Sequence, residues 1–166
     1  MTKRLEAPVR WRDGASPGDP DAVTRIVRAT DFFNTEEEAI ARELVEERLE
    51  RGPASGYEFL FAERAGCPVA YSCYGRIGGT RESWDLYWIA VDPAEQGRGL
   101  GRELLAQTEV RVRAAGGGRL YVETSGRASY APTRDFYEHL GYALEATLPD
   151  FYSPGDAKCI YVKALR

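Results

Sequence analysis

The sequence predicts an α/β domain with a mixed, mostly antiparallel central sheet flanked by helices. Three observations carry that prediction. The run Ser83–Val91 is rich in aromatic and branched apolar residues with almost no charge, as suits a buried central strand. Asp92-Pro93 ends it, because proline has no amide to give a ladder and restricts the residue before it. Next comes Gln96-Gly97-Arg98-Gly99-Leu100-Gly101, followed at once by the helical spacing of Leu104, Leu105, Thr108 and Val112. Finally, short turns join the strand candidates upstream of Ser83, which favours antiparallel pairing. A helix intervenes before the next strand, residues 120–124, which should therefore run parallel to Ser83–Val91.

Taken in order, residues 9–11 form a short strand candidate closed by Asp13-Gly14. Asp19 is placed to cap a first helix with Pro20 at its first position, and Val23, Ile26, Val27 and Thr30 form its stripe. Thr35 and Glu38 have the spacing of a capping box for a second helix, with Ile40, Leu44, Val45 and Leu49 as its apolar face. Glu38–Arg42 and Glu47–Arg51 are i,i+4 pairs on the wet side, and Gly52-Pro53 stops the helix. Residues 57–63 alternate, with Tyr57, Phe59 and Phe61 on one face; Arg64-Ala65-Gly66 turns the chain back into residues 68–74. Gly116-Gly117-Gly118 ends the helix that follows the glycine-rich turn. A short helix over residues 132–140 ends at Gly141. Two last strands, residues 142–147 and 158–165, flank what reads as a long polar-aromatic loop, Leu-Pro-Asp-Phe-Tyr-Ser-Pro-Gly-Asp.

With 166 residues, 43% of them apolar and 29% charged, the chain fits one domain spanning residues 1–166. The net charge of −4, without a basic run, argues against nucleic acid as the main partner. The N-terminus Met-Thr-Lys-Arg-Leu-Glu-Ala-Pro-Val-Arg lacks an apolar signal core, and no apolar run is long enough to cross a membrane, so a cytoplasmic location and no membrane partner are expected. Cys67, Cys73 and Cys159 are too scattered for a disulfide framework and are expected to be buried small hydrophobes. With His139 as the single histidine, a Cys/His metal site is not expected.

The strand, glycine-rich turn and helix in sequence make an anion site, most naturally for a pyrophosphate. Glycines leave the backbone amides unobstructed, and the helix N-terminus adds positive potential. A tight turn needing positive φ would use the same glycines. Gln96-x-x-Gly99-x-Gly101, preceded by Val91-Asp92-Pro93 and followed downstream by Phe136-Tyr137-Glu138-His139-Leu140-Gly141-Tyr142, resembles the GNAT superfamily of acetyl-CoA-dependent N-acetyltransferases. The resemblance covers most of the chain and implies a GNAT-like sheet whose two central parallel strands splay apart. It implies acetyl-CoA as co-substrate, with no metal. Its pyrophosphate would lie on Gln96, Gly97, Arg98, Gly99, Leu100 and Gly101, with Arg102 opening the helix. Its pantetheine arm would pair with the strand end at Ile89 and Val91. Tyr130 and Thr133 stand where many members have Asn and Ala, which leaves Ser125 or Tyr130 to make the missing cofactor contact.

Acetyl transfer to an amine needs a group to take the amine's proton and one to protonate the departing thiolate. Tyr137 sits where the family's general acid often sits, and it falls off the Thr133–Phe136–Leu140 stripe, so it need not be core. Asp85, a lone carboxylate in an apolar strand, matches the strand position of a glutamate in histone-acetylating members. It serves either as base or as a structural carboxylate paired with Arg76 or Arg81. Glu123 is a second, weaker candidate. Strand alternation puts Asp85 and Tyr87 on one face and Trp84, Leu86 and Trp88 on the other. His139, near a helix end, reads as structural. The family's architecture nominates Phe32, Phe33, Asp150, Phe151 and Tyr152 for the acceptor site. The expected partner is an amine acceptor, a small molecule or peptide, and the apolar last strand permits a homodimer. Two other readings stay open: a non-catalytic acyl-CoA-binding sensor, and a dinucleotide-binding module, whose G-x-G-x-x-G spacing the chain does not keep.

Overall fold

A computed structural model describes residues 7–166; the first six residues of the N-terminal stretch judged to lack a signal core lie outside it. The elements run β1 (Val9–Asp13), α1 (Asp19–Ala29), α2 (Thr35–Arg51), β2 (Glu58–Arg64), β3 (Cys67–Arg76), β4 (Ser83–Val91), α3 (Leu100–Ala114), β5 (Arg119–Ser125), α4 (Ala131–His139), β6 (Ala143–Ser153) and β7 (Asp156–Ala164). The strands make a seven-stranded sheet in the order β1-β2-β3-β4-β5-β7-β6. The β4–β5 pair is parallel, and β1–β2, β2–β3, β5–β7 and β6–β7 are antiparallel, so the sheet is mixed and mostly antiparallel as expected.

The chain forms two compact units. One holds the chain up to Tyr74 together with Trp88–Thr108. Its core joins Val23, Ile26 and Val27 of α1 and Ala41 and Val45 of α2 to Phe59, Phe61, Tyr71, Cys73 and Ala90 of the strands. Phe59, Phe61 and Tyr71 stack at 5.8 to 6.4 Å between ring centroids. On the other side of β3, the buried Ser72 hydroxyl shares a 2.8 Å hydrogen bond with Thr108 of α3. Asp19 does not cap α1, as its sequence position suggested. It is the first helical residue, and its buried carboxylate takes both Nη atoms of Arg12 at 2.7 and 3.0 Å and the Ser16 amide at 2.6 Å. Arg12 also reaches Glu63 at 2.6 Å and lies over the Phe61 ring, so the start of α1 is tied to β1 and β2.

The capping box of α2 lies one residue earlier than expected. Asn34 remains extended and accepts from the Glu37 amide, while Glu37 accepts from the Asn34 amide, both at 2.9 Å. Thr35 is already helical, and Glu38 is thereby left to pair with Arg28 while Arg42 pairs with Glu46 and Asp21. The Glu47–Arg51 pair forms as read.

The other unit holds Gly75–Tyr87 and Glu109–Arg166. Its sheet register sorts the side chains by face. Trp84↔Leu120 and Leu86↔Val122 share one face with Cys159 and Tyr161. Asp85↔Tyr121, Glu123↔Ile160 and Ser125↔Lys158 share the other. The first face is buried and lies against helices: Tyr161 donates to Glu138 of α4 and Lys163 to Glu109 of α3. The β4–β5 ladder ends at Leu86↔Val122, before β4 has run its length, and the boundary between units falls one residue later.

The expected loop before the last strand is mostly strand. β6 continues to Ser153 through two irregularities, and the turn closes at Pro154-Gly155, where Asp150 accepts from the Gly155 amide at 2.7 Å. Pro149, Asp150 and Pro154 read as loop punctuation, whereas here they mark a bulged hairpin.

Candidate functional site

The glycine turn is anchored at both ends. Beyond β4, Asp92 caps a short 3-10 turn, Pro93–Glu95, by accepting from the Ala94 amide, and it also pairs with Arg25. Buried Glu95 pairs with Arg64 at 2.9 Å, and buried Leu100 starts the apolar stripe of α3 with Leu104, Leu105 and Thr108. Between these anchors residues 96–99 are exposed. Gly97 (φ 75°) and Gly99 (φ 79°) both have left-handed backbones, and a Cβ at either would meet nothing within 4 Å. The flank of the turn at this helix start is thus open, and an exposed glycine turn at a helix N-terminus suits an anion such as a pyrophosphate. The Gln96 side chain turns back to donate to the Val91 carbonyl at 3.3 Å, so one acceptor at the expected pantetheine edge is already engaged within the protein. Ile89, Val91 and Gln96 through Arg102 all lie in one unit, on one continuous stretch.

The other unit carries Asp85, Ser125, Tyr130 and Tyr137. Tyr137 is buried, which corrects the expectation that it need not be core. It is the one buried residue of α4, and its ring lies 5.3 Å from Phe136, 5.6 Å from Tyr142 and 6.4 Å from Tyr161. Burial pushes its phenol well up, so it stays protonated through the working pH range. Its hydroxyl makes no hydrogen bond to the described residues, yet it is not enclosed like the orphaned Tyr71 hydroxyl.

Asp85 is half-buried on the opposite face from the α4 tyrosine and makes no ion pair with Arg76 or Arg81 among the described residues; Arg76 instead donates to the Thr80 carbonyl. Loss of solvent raises its carboxyl first, the Glu123 charge adds to that, and Lys158 opposes it. Glu123 is exposed and pairs with Lys158 at 2.7 Å. The Ser125 hydroxyl donates to buried Asp156 at 2.5 Å and accepts from the Arg127 amide. It is therefore committed to holding the ends of β5 and β7. Tyr130 stands at the N-terminus of α4 with the Arg127 guanidinium 5.5 Å from its ring centroid.

Of the nominated acceptor residues, Phe32 is exposed and edge-on to Phe33, which packs on Trp88. Phe151 and Tyr152 are exposed and edge-on to each other on β6, with Lys158 4.3 Å from the Phe151 ring centroid. Cys67 is exposed at the start of β3, against expectation, because the hairpin turn holds it outward; Cys73 and Cys159 are buried. His139 bonds the Asp135 carbonyl of its own helix, a structural role. Lys158 was missed in the sequence, although its alternation with Ile160 and Val162 put it on the Asp85 face. Among the described residues no group of three or more His, Cys, Asp or Glu is placed to hold a metal ion, and no helix is long and apolar enough to cross a membrane.

The family model for the acetyltransferase (GNAT) family matches residues 23–142, and the chain belongs to that family. A GNAT-family protein from Desulfovibrio desulfuricans, known from a crystal structure, is 46% identical with a TM-score of 0.94, over 96% of this chain and 100% of that one. A mycothiol acetyltransferase of Amycolatopsis mediterranei is 35% identical over 152 residues, 82% of this chain and 48% of its own length. The chain thus spans about half of that relative. A Salmonella typhimurium protein solved with its cofactor acetyl-CoA shares the fold at 21% identity and a TM-score of 0.72, over 96% of this chain and 95% of that one.

Proposed function

We propose that the protein transfers the acetyl group of acetyl-CoA directly to a primary amine of a small molecule or peptide. The exposed turn with its two left-handed glycines and open flank, set on the N-terminus of α3, supports this reading first. Acetyl-CoA, when bound, supplies an activated thioester. The chain's residues hold and aim it: the amides of Gln96 through Gly101 on the pyrophosphate, with Arg102 beside them, and the backbone of Ile89 and Val91 on the amides of the pantetheine arm. Ser125 is committed to Asp156, and the contact of the absent Asn is assigned to Tyr130.

Asp85 takes one proton from the acceptor's ammonium, directly or through a water, to free the amine that attacks. The nitrogen loses its second proton as the tetrahedral intermediate collapses, and that proton, passed through solvent, restores the Tyr137 phenol. The raised carboxyl of Asp85 makes it a better base near neutral pH than a solvated aspartate. Tyr137 donates its O–H to the departing sulfur. A buried phenol is a weak acid, so its proton moves as the carbon–sulfur bond breaks rather than ahead of it. The β4–β5–β7 register and the α4 contacts set these two groups on opposite faces of the sheet. Among the described residues no activated nucleophile accompanies them, so transfer without an acyl-enzyme is expected.

The test is calorimetric titration with acetyl-CoA, with NADH as control, followed by a thiol-release screen over amino acids, polyamines, aminoglycosides, peptides and a mycothiol-type acceptor. Binding of acetyl-CoA without turnover of any amine would favour the sensor; binding of NADH alone would overturn the reading.

A further inference from the structure

The face of the sheet that carries Asp85 also carries a cation that the reaction as written does not use. Lys158, on β7, has its ammonium 2.7 Å from Glu123 of β5 and 4.3 Å from the centroid of the Phe151 ring of β6. Its side chain is only 14% exposed, against 47% for Glu123. A lysine held at that depth between a carboxylate and an aromatic face is fixed in place, not waving in solvent. The pleat puts Asp85, Tyr121, Glu123 and Lys158 on one face, and Asp85 senses both Glu123 and Lys158.

We propose that Lys158, gripped between Glu123 and Phe151, is a positioning residue that keeps Asp85 ionised and so sets the acid side of the reaction's pH profile. The proposal rests on the reading of Asp85 as the base. Two carboxylates share this face. Without the cation that pairs with Glu123, Asp85 would retain its proton to a higher pH, because carboxylates on neighbouring positions of one face oppose each other's ionisation. Lys158 offsets one of the two and leaves Asp85 free to accept a proton.

The other groups around Asp85 do not replace it. Tyr87 and Tyr121, on β4 and β5, bring phenols to this face and neither a carboxylate nor an ammonium. Tyr152 of β6, pushed up to about 12 by its own burial and by Glu123 and Asp156, is neutral at working pH. Arg76 of β3 is turned to the Thr80 carbonyl, and Arg127 pairs with Asp156.

The sign follows from charge alone. Removing Lys158 raises the Asp85 carboxyl further and moves the acid limb of kcat/KM to higher pH. Removing the Glu123 charge lowers it and moves the limb down, because one repulsion goes and Lys158 is released from its partner. Lys158→Met keeps the side-chain length and the apolar contact with Phe151. It should move the Asp85 titration up by about one unit, and Glu123→Gln should move it down by about one unit. Lys158→Arg should restore the wild-type value. A role confined to packing would not give opposite shifts from the two ends of one ion pair.

The experiment measures the Asp85 side-chain carboxyl carbon by NMR against pH in the wild type and the three variants, with circular dichroism to check folding, alongside the pH dependence of kcat/KM in the same proteins and in Asp85→Asn. Opposite shifts in Lys158→Met and Glu123→Gln, followed by the acid limb, support the proposal. An Asp85 titration unmoved in both overturns it, whatever the kinetics show. Titration shifts with an acid limb that stays put, or that survives in Asp85→Asn, support the coupling and overturn Asp85 as the base.

Discussion

Gly99→Ala separates what the glycine turn does for the fold from what it does for the cofactor. Gly99 has φ 79°, a region that costs an L-residue about 1–2 kcal/mol. A methyl group there meets no protein atom within 4 Å, so the fold loses only the backbone term. For a chain of this size that is a drop of a few degrees in Tm. The ligand should lose more. On the proposed reading the methyl would crowd a phosphate held by the turn's amides, and a charge-assisted hydrogen bond is worth about 1.5–3 kcal/mol. Loss of one weakens acetyl-CoA binding roughly ten- to hundredfold. Gly79 supplies the matched control. It has φ 76° and also an open flank, but it lies in the turn between β3 and β4. Calorimetry and thermal melts of Gly99→Ala and Gly79→Ala should give similar losses of stability, with loss of acetyl-CoA affinity in Gly99→Ala alone. Wild-type affinity in Gly99→Ala, or equal loss in both, would refute the cradle.

Tyr137→Phe should lower kcat/KM by about 10²- to 10⁴-fold while leaving acetyl-CoA affinity intact, as read by steady-state kinetics and calorimetry; unchanged turnover removes the phenol from the mechanism. Asp85 has its carboxyl raised in the folded state, so the folded chain binds its proton more tightly than the unfolded chain. Its destabilising contribution is absent below the unfolded value of about 3.9 and grows as pH rises through the folded one. Asp85→Asn should therefore be more stable than wild type in urea at pH 7, with the difference fading toward pH 4. Glu109 is buried and accepts from Tyr142 at 3.0 Å and from Lys163 at 2.9 and 3.0 Å. Glu109→Ala should cost roughly 3 kcal/mol, with the urea midpoint as readout, because it strands a partly buried ammonium and a phenol.

Most of the fold was legible because period and punctuation agree in it. The β2–β3 hairpin follows from Phe59 and Phe61 alternating up to Ala65-Gly66, both of which adopt positive φ. The parallel β4–β5 pair follows from the helix between them. The errors came where one local signal fits two structures. Asn34-x-x-Glu37 and Thr35-x-x-Glu38 are both capping boxes, and only the backbone of residue 34 decides. Pro149, Asp150 and Pro154 mark either a loop or a bulged strand. Tyr137 misled for another reason. Its helix is short, and the ring-lined pocket that buries it comes from Tyr142 and Tyr161, one just past α4 and one on β7. Burial set by distant strands leaves no periodic trace. The same holds for Lys158, whose partners Glu123 and Phe151 are brought to it by register.

The pleat of β4, β5 and β7 divides the work of one unit between the sheet's two faces. Leu120, Val122, Thr124, Cys159 and Tyr161 alternate onto a buried face that lies against helices. On the other face Ser125 and Val162 are buried as well, while Tyr121, Glu123, Lys158 and Ile160 are partly open and include the charges. A single-residue slip of register would bury Asp85, Glu123 and Lys158 and expose Trp84 and Leu86. The apolar face therefore fixes the geometry of the polar one. That is why an ionisable pair can be kept at partial burial without a helix or metal to hold it: the register is already determined by the larger cost of exposing the other side.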